Sequence, residues 1–122
     1  MTDIYDLITN LRKIKLTDKQ KSIMTAGFCD PMIFADYFED VCMSSDIDND
    51  PRFFKRLSGM VLWANVLTNI DKLTDEELLE ARKSLSHGFV QMSSNRKIKS
   101  MLTRIGEDFD FMGALMKFAE EN

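Results

Sequence analysis

Four carboxylates have the spacing that a hard cation needs. Glu77 and Glu80 stand three residues apart in Glu76-Glu77-Leu78-Leu79-Glu80, and Glu107 and Asp110 repeat the interval in Glu107-Asp108-Phe109-Asp110. Residues i and i+3 share a helix face, so two helices could bring these four together as oxygen ligands for Mg²⁺. A second acidic segment, Asp46-Ile47-Asp48-Asn49-Asp50, opens like a calcium loop. It has Pro51 where glycine must make the sharp turn and Leu57 where a bidentate glutamate must close the site. It therefore reads as an acidic loop that ends in a helix cap. The one histidine, His87, has neither cysteine near it in sequence, so a Cys–His nucleophile or a zinc site has no local basis. The sequence holds no phosphate-cradling glycine loop and no Gly-x-Ser-x-Gly elbow. Cys29 and Cys42 read as small buried hydrophobes of a reduced, cytoplasmic protein.

The two carboxylate clusters, with 26 residues between Glu80 and Glu107, resemble the EExxE…ExxD pattern of the all-α nucleotide pyrophosphohydrolases, the MazG-like and dimeric dUTPase-like enzymes. The resemblance covers those nine positions. It implies Mg²⁺ held by Glu77, Glu80, Glu107 and Asp110, with the metal gripping a nucleoside triphosphate. The chain departs from the pattern in that its first carboxylates sit in the opening turn of their helix, where the helix dipole favours acids without any metal. A whole helix also separates the two clusters. A Mg²⁺-dependent pyrophosphohydrolase is thus the alternative, and the preferred reading has no catalytic residue and no cofactor.

Charge is distributed in blocks. Residues 22–51 contain seven acids and no base, whereas residues 82–104 contain six bases and no acid, in a chain of net charge −4. Asp36, Glu39 and Asp40 fall on one side of a helix and Asp46, Asp48 and Asp50 follow in one loop, so a basic partner surface could meet them. Crowding like charges is mildly unfavourable by itself. Either that partner or the basic 82–104 segment is expected to compensate it. Arg96, Lys97, Lys99 and Arg104 could instead touch phosphates. Bases interleaved with so few aromatics, in an acidic chain, make nucleic acid the weaker expectation.

The elements that must position these residues are all helical. Asp3 can cap a first helix with Ile4, Leu7, Ile8, Leu11 and Ile14 on one face. Thr17 with Gln20 forms a capping box for a short second helix ending near Gly27. Asp30-Pro31 and Asp50-Pro51 are caps followed by proline at the first helical position. The third helix buries Phe34, Tyr37, Phe38 and Val41, and the fourth runs to about Ile70. Thr74 with Glu77 caps a fifth helix, Ser94 a sixth with Ile98, Met101, Leu102 and Ile105, and a last helix carries Phe109 to Ala119. The tetrapeptide Lys-Leu-Thr-Asp occurs at 15–18 and again at 72–75, each followed by a Gly-Phe pair. A duplicated three-helix unit or two unrelated capped helices would both look like this.

With 122 residues, 44% of them apolar and 30% charged, the chain is long enough for one domain with its own core. The 14 uncharged residues from Leu57 to Ile70 are too short to span a bilayer, and Asp3 and Asp6 are unlike the opening of a signal peptide. The expectation is an all-α, single-domain bundle of about seven short helices over residues 1–122, built around the helix at about 51–70. Its expected role is that of a non-catalytic regulatory or adaptor protein, such as a bacteriophage or bacterial accessory factor, that binds another macromolecule, in the first place a protein. Leu67 lies in the heart of the central helix, so Leu67→Ala should cost about 2–5 kcal/mol in denaturant unfolding. A loss below about 0.5 kcal/mol would show that the core lies elsewhere.

Overall fold

In a computed structural model, residues 4–24, 27–43 and 51–105 are described. They form seven α-helices and no strand: α1 (Ile4–Lys13), α2 (Asp18–Ile23), α3 (Pro31–Met43), α4 (Pro51–Thr68), α5 (Asp75–Leu85), α6 (Phe89–Met92) and α7 (Arg96–Arg104). Single 3-10 turns at Gly27–Cys29 and Ile70–Lys72 complete the path. The all-α expectation is met. The helices themselves differ in one respect: α6 has no periodic pattern to announce it, and the expected helix over 109–119 lies outside the described residues, as does Asp3.

The organising element is α4. Every residue from Gly59 to Leu67 is buried, so this stretch has no solvent face and must be surrounded. It is packed against α1, α5, α6 and α7, while α1 also packs against α3. Asn65 is the polar exception within the run. Its Nδ2 donates to the Val61 carbonyl at 2.8 Å, which satisfies the amide inside its own helix. The Asn65 carbonyl accepts from the backbone and side-chain nitrogens of Asn69 and from the Thr68 hydroxyl. The helix ends at Thr68, two residues before the expected end. Among the described residues no helix is long and apolar enough to cross a membrane.

Local chemistry sets the other boundaries. In α1, Ile4, Leu7, Ile8 and Leu11 point into the core. Asp30 Oδ1 accepts from the Met32 and Ile33 amides at 2.9 and 3.4 Å, capping α3 as its sequence implies. The third helix fully buries Phe34 and Phe38, whereas Tyr37 and Val41 are half-buried. The cap of α7 is Asn95 and not Ser94: its Oδ1 accepts from the Lys97 and Ile98 amides, while its Nδ2 donates to Ser84 Oγ at 2.7 Å. Both residue types cap well, and the tie to α5 selects the asparagine. The second helix ends at Ile23, short of Gly27.

The two Lys-Leu-Thr-Asp segments share the same helix-capping geometry. Thr17 and Thr74 have φ/ψ of −70/164° and −75/162°, and both head reciprocal capping boxes, with Gln20 and Glu77 as the respective third helical residues. The helices they start pack against each other, joined by Lys19–Asp75 at 2.6 Å, Gln20 Nε2 to Asp71 Oδ1 at 3.1 Å and Arg82 Nη1 to the Ile23 carbonyl at 2.7 Å. Gly27 and Gly88, the glycines of the two Gly-Phe pairs, both have positive φ (65° and 91°). The phenylalanines that follow meet, with the Phe28 and Phe89 rings 5.8 Å apart. Phe34 and Tyr37 join this cluster, and Trp63 of α4 donates its indole N–H to the Phe28 carbonyl at 2.7 Å.

Gly59 permits the closest approach in the fold. A Cβ at this position would lie 1.8 Å from the Phe89 carbonyl oxygen, and backbone cannot swing aside as a flexible side chain can. Gly59→Ala would gain about 1 kcal/mol of helix propensity, yet it must push α6 off α4. A net loss of about 1–3 kcal/mol is expected in urea unfolding. A variant as stable as the parent chain would mean that α4 and α6 do not touch there.

Candidate functional site

The residues that could do chemistry are placed as follows. Glu77 serves α5 itself: its Oε1 accepts from the Thr74 amide at 2.9 Å, closing the capping box. Both of its carboxylate oxygens also accept from Arg104 Nη2, at 2.6 and 2.5 Å. Glu80 faces Lys97 at 3.5 Å. The two carboxylates are therefore brought to the bases of α7. Glu107 and Asp110 lie outside the described residues, and among the described residues no group of three or more His, Cys, Asp or Glu side chains could hold a metal. The Thr74 amide hydrogen bond, helped by Arg104, holds the Glu77 carboxyl below its ordinary value of 4.5, with partial burial opposing.

The same pairs occupy half of the expected phosphate-binding set. Lys97 and Arg104 are engaged by Glu80 and Glu77. Arg96 and Lys99 are exposed and have no ion-pair partner among the described residues. Burial of α7 falls to Ile98 and Leu102, so its bases line the outside of the bundle.

Of the acidic set, Asp36, Glu39 and Asp40 are exposed on α3 as their spacing implies. Asp46, Asp48 and Asp50 lie outside the described residues. The compensation comes from an unexpected quarter. Arg12, in the last turn of α1, binds Asp36 at 2.7 Å and Glu39 at 2.5 Å, and the 82–104 segment spends its described ion pairs on α5. Glu39 and then Asp36 raise the Arg12 guanidinium above its already high value. Asp40 has no ion-pair partner among the described residues. Sequence separations of 24 and 27 residues left no local signal for this pairing; only the alignment of the apolar faces of α1 and α3 could have suggested it.

His87 is exposed in the turn after α5. Both cysteines are buried and free. Burial raises the Cys29 thiol, which nearby Arg82 offsets in part, and pushes the Cys42 thiol up to about 12. Neither thiol is a thiolate near neutral pH, so neither is a nucleophile.

What α1 and α3 build between them is a surface that no motif marks. The helices run antiparallel: Tyr5 and Met43 share one end, Arg12 meets Asp36 and Glu39 in the middle, and Ile14 meets Met32 and Ile33 at the other. Of the six large apolar side chains exposed among the described residues, four belong to these two helices, with Met43 71%, Ile33 49%, Met32 47% and Tyr5 43% exposed. A groove of about 380 Å³ lies at the Tyr5–Met43 end and a cleft of about 800 Å³ at the Ile14–Ile33 end. Arg12 and Glu39 of the ion-pair cluster also line the Tyr5–Met43 groove.

No family model, no curated protein and no solved structure matches the chain. The geometry of the residues themselves carries the functional reading.

The Glu77 network predicts a specific pH dependence. A carboxyl whose folded-state pKa is depressed adds stability above its unfolded pKa and loses it as pH falls through the folded value. Glu77→Gln keeps an acceptor for the Thr74 amide but removes the charge facing Arg104. The variant should therefore be less stable than the parent chain at pH 7, with the difference shrinking as pH falls below 4.5. Chemical denaturation across pH 2.5–7, roughly the range over which the carboxyl titrates, would detect this. A pH-independent difference would show that the ion pair contributes nothing.

Proposed function

We propose that this protein is a non-catalytic adaptor that binds another protein through the α1/α3 surface. The observation that carries the reading is the concentration of exposed apolar side chains there: Tyr5, Met32, Ile33 and Met43 against single exposed residues elsewhere, Leu79 and Val90. Singly scattered exposed hydrophobes are ordinary, whereas four on one pair of packed helices mark an interaction surface. Methionines suit such a surface because their unbranched, polarizable side chains adapt to a partner's shape. Arg12 pairs with both Asp36 and Glu39 in the middle of the surface and leaves one negative charge over, which a basic group of a partner would complement. This moves the expected interface from the acidic stripe alone to the stripe together with its apolar flanks.

The reading is tested by placing charge on the apolar ends. Ile33→Glu and Met43→Glu alter exposed side chains and should leave stability within about 0.5 kcal/mol. Each should abolish capture of the partner from extracts of the cells that encode the protein, while Leu79→Glu on α5 should not. Retention of capture by both α1/α3 variants would overturn the proposal.

A further inference from the structure

The cleft at the Ile14–Ile33 end sets two lysines beside an apolar lining. Its apolar lining comes from Ile14 and Leu16 after α1 and from Met32 and Ile33 in the first turn of α3. Lys15 and Lys21 also line it, both exposed and both without an ion-pair partner among the described residues. Among the described residues the lining has one carboxylate, Asp30, which accepts hydrogen bonds from the Met32 and Ile33 amides at the cap of α3. Two lysines against one carboxylate leave the described lining of this apolar cleft net positive, in a protein of net charge −4.

From this we infer that the cleft receives an acidic amphipathic helix of the protein partner, its apolar side chains seated on Ile14, Leu16, Met32 and Ile33 and its carboxylates set against Lys15 and Lys21. The inference rests on the partner-binding reading above and adds the site and the chemistry of the partner. A volume of about 800 Å³ holds several aliphatic side chains. The cleft is about half open to solvent, which suits a helix buried on one face only; a small ligand would need enclosure on most sides. Two unpaired lysines beside an apolar floor favour carboxylates through complementarity and reject a basic helix through repulsion.

The test uses the full chain and fluorescent helical peptides, one with leucines at i, i+4 and i+7 flanked by glutamates and one with lysines in place of those glutamates. In fluorescence polarisation the glutamate peptide should bind the parent chain at least tenfold more tightly than the lysine peptide. Lys15→Glu with Lys21→Glu should reverse that preference, and an unchanged thermal midpoint would show that the variant is folded. Lys15→Gln with Lys21→Gln is the milder variant and should abolish the preference if the double reversal does not fold. No binding of the glutamate peptide, or equal binding of both peptides, overturns the inference. If that happens while Ile33→Glu still abolishes partner capture, the partner-binding reading stands and only the chemistry assigned to the cleft fails. If Ile33→Glu and Met43→Glu both leave capture intact, the surface itself is wrong and both proposals fall.

Discussion

The hydrogen bond from Trp63 to the Phe28 carbonyl holds the two halves of this fold in register. Its donor sits at the centre of the most buried helix, and its acceptor sits in a one-turn connector between α2 and α3. An indole N–H taken fully out of water needs an acceptor, or the burial of the ring costs what its area gains. Supplying that acceptor fixes the Gly27–Cys29 turn, and the turn in turn fixes the Phe28 ring against Tyr37, Phe34 and Phe89. The start of α3 follows directly from that turn.

Charge has a different place in the structure from the one its distribution along the chain suggests. The acidic and basic blocks do not meet each other among the described residues. Each is paired with a minority of opposite charge nearby in space: Arg12 with the acids of α3, and Glu77 and Glu80 with the bases of α7. These pairs join neighbouring helices at the surface, where screening keeps each contribution small. Their larger effect is on what remains uncommitted. Lys15 and Lys21 remain without an ion-pair partner among the described residues, beside an apolar cleft.

Much of the local structure is legible in the sequence. Thr17 with Gln20, Thr74 with Glu77 and Asp30 before Pro31 each specify a helix start through side-chain to backbone hydrogen bonds within four residues, and each is found. The apolar run of α4 states its own burial. Features set by contacts between distant segments were not legible. Ser94 and Asn95 are equal candidates until Ser84 chooses between them, and α6 is a single turn held by Gly88 and by packing on α4, with no periodicity to read. The candidate site was the least legible part. Tyr5, Ile33 and Met43 have the composition of core residues, and only the docking of α1 on α3 reveals that they are left outside.

Gly59 and Trp63 are four residues apart and so lie on one face of α4, the first admitting the Phe89 carbonyl and the second reaching the Phe28 carbonyl. One helix therefore reads both Gly-Phe segments, accepting one by having no side chain and gripping the other with its largest. This gives a kinship criterion that overall identity would miss. A diverged relative can change most of its surface and much of its apolar content, but it must keep glycine and tryptophan at this interval on its central helix, with a Gly-Phe pair on either side in the chain.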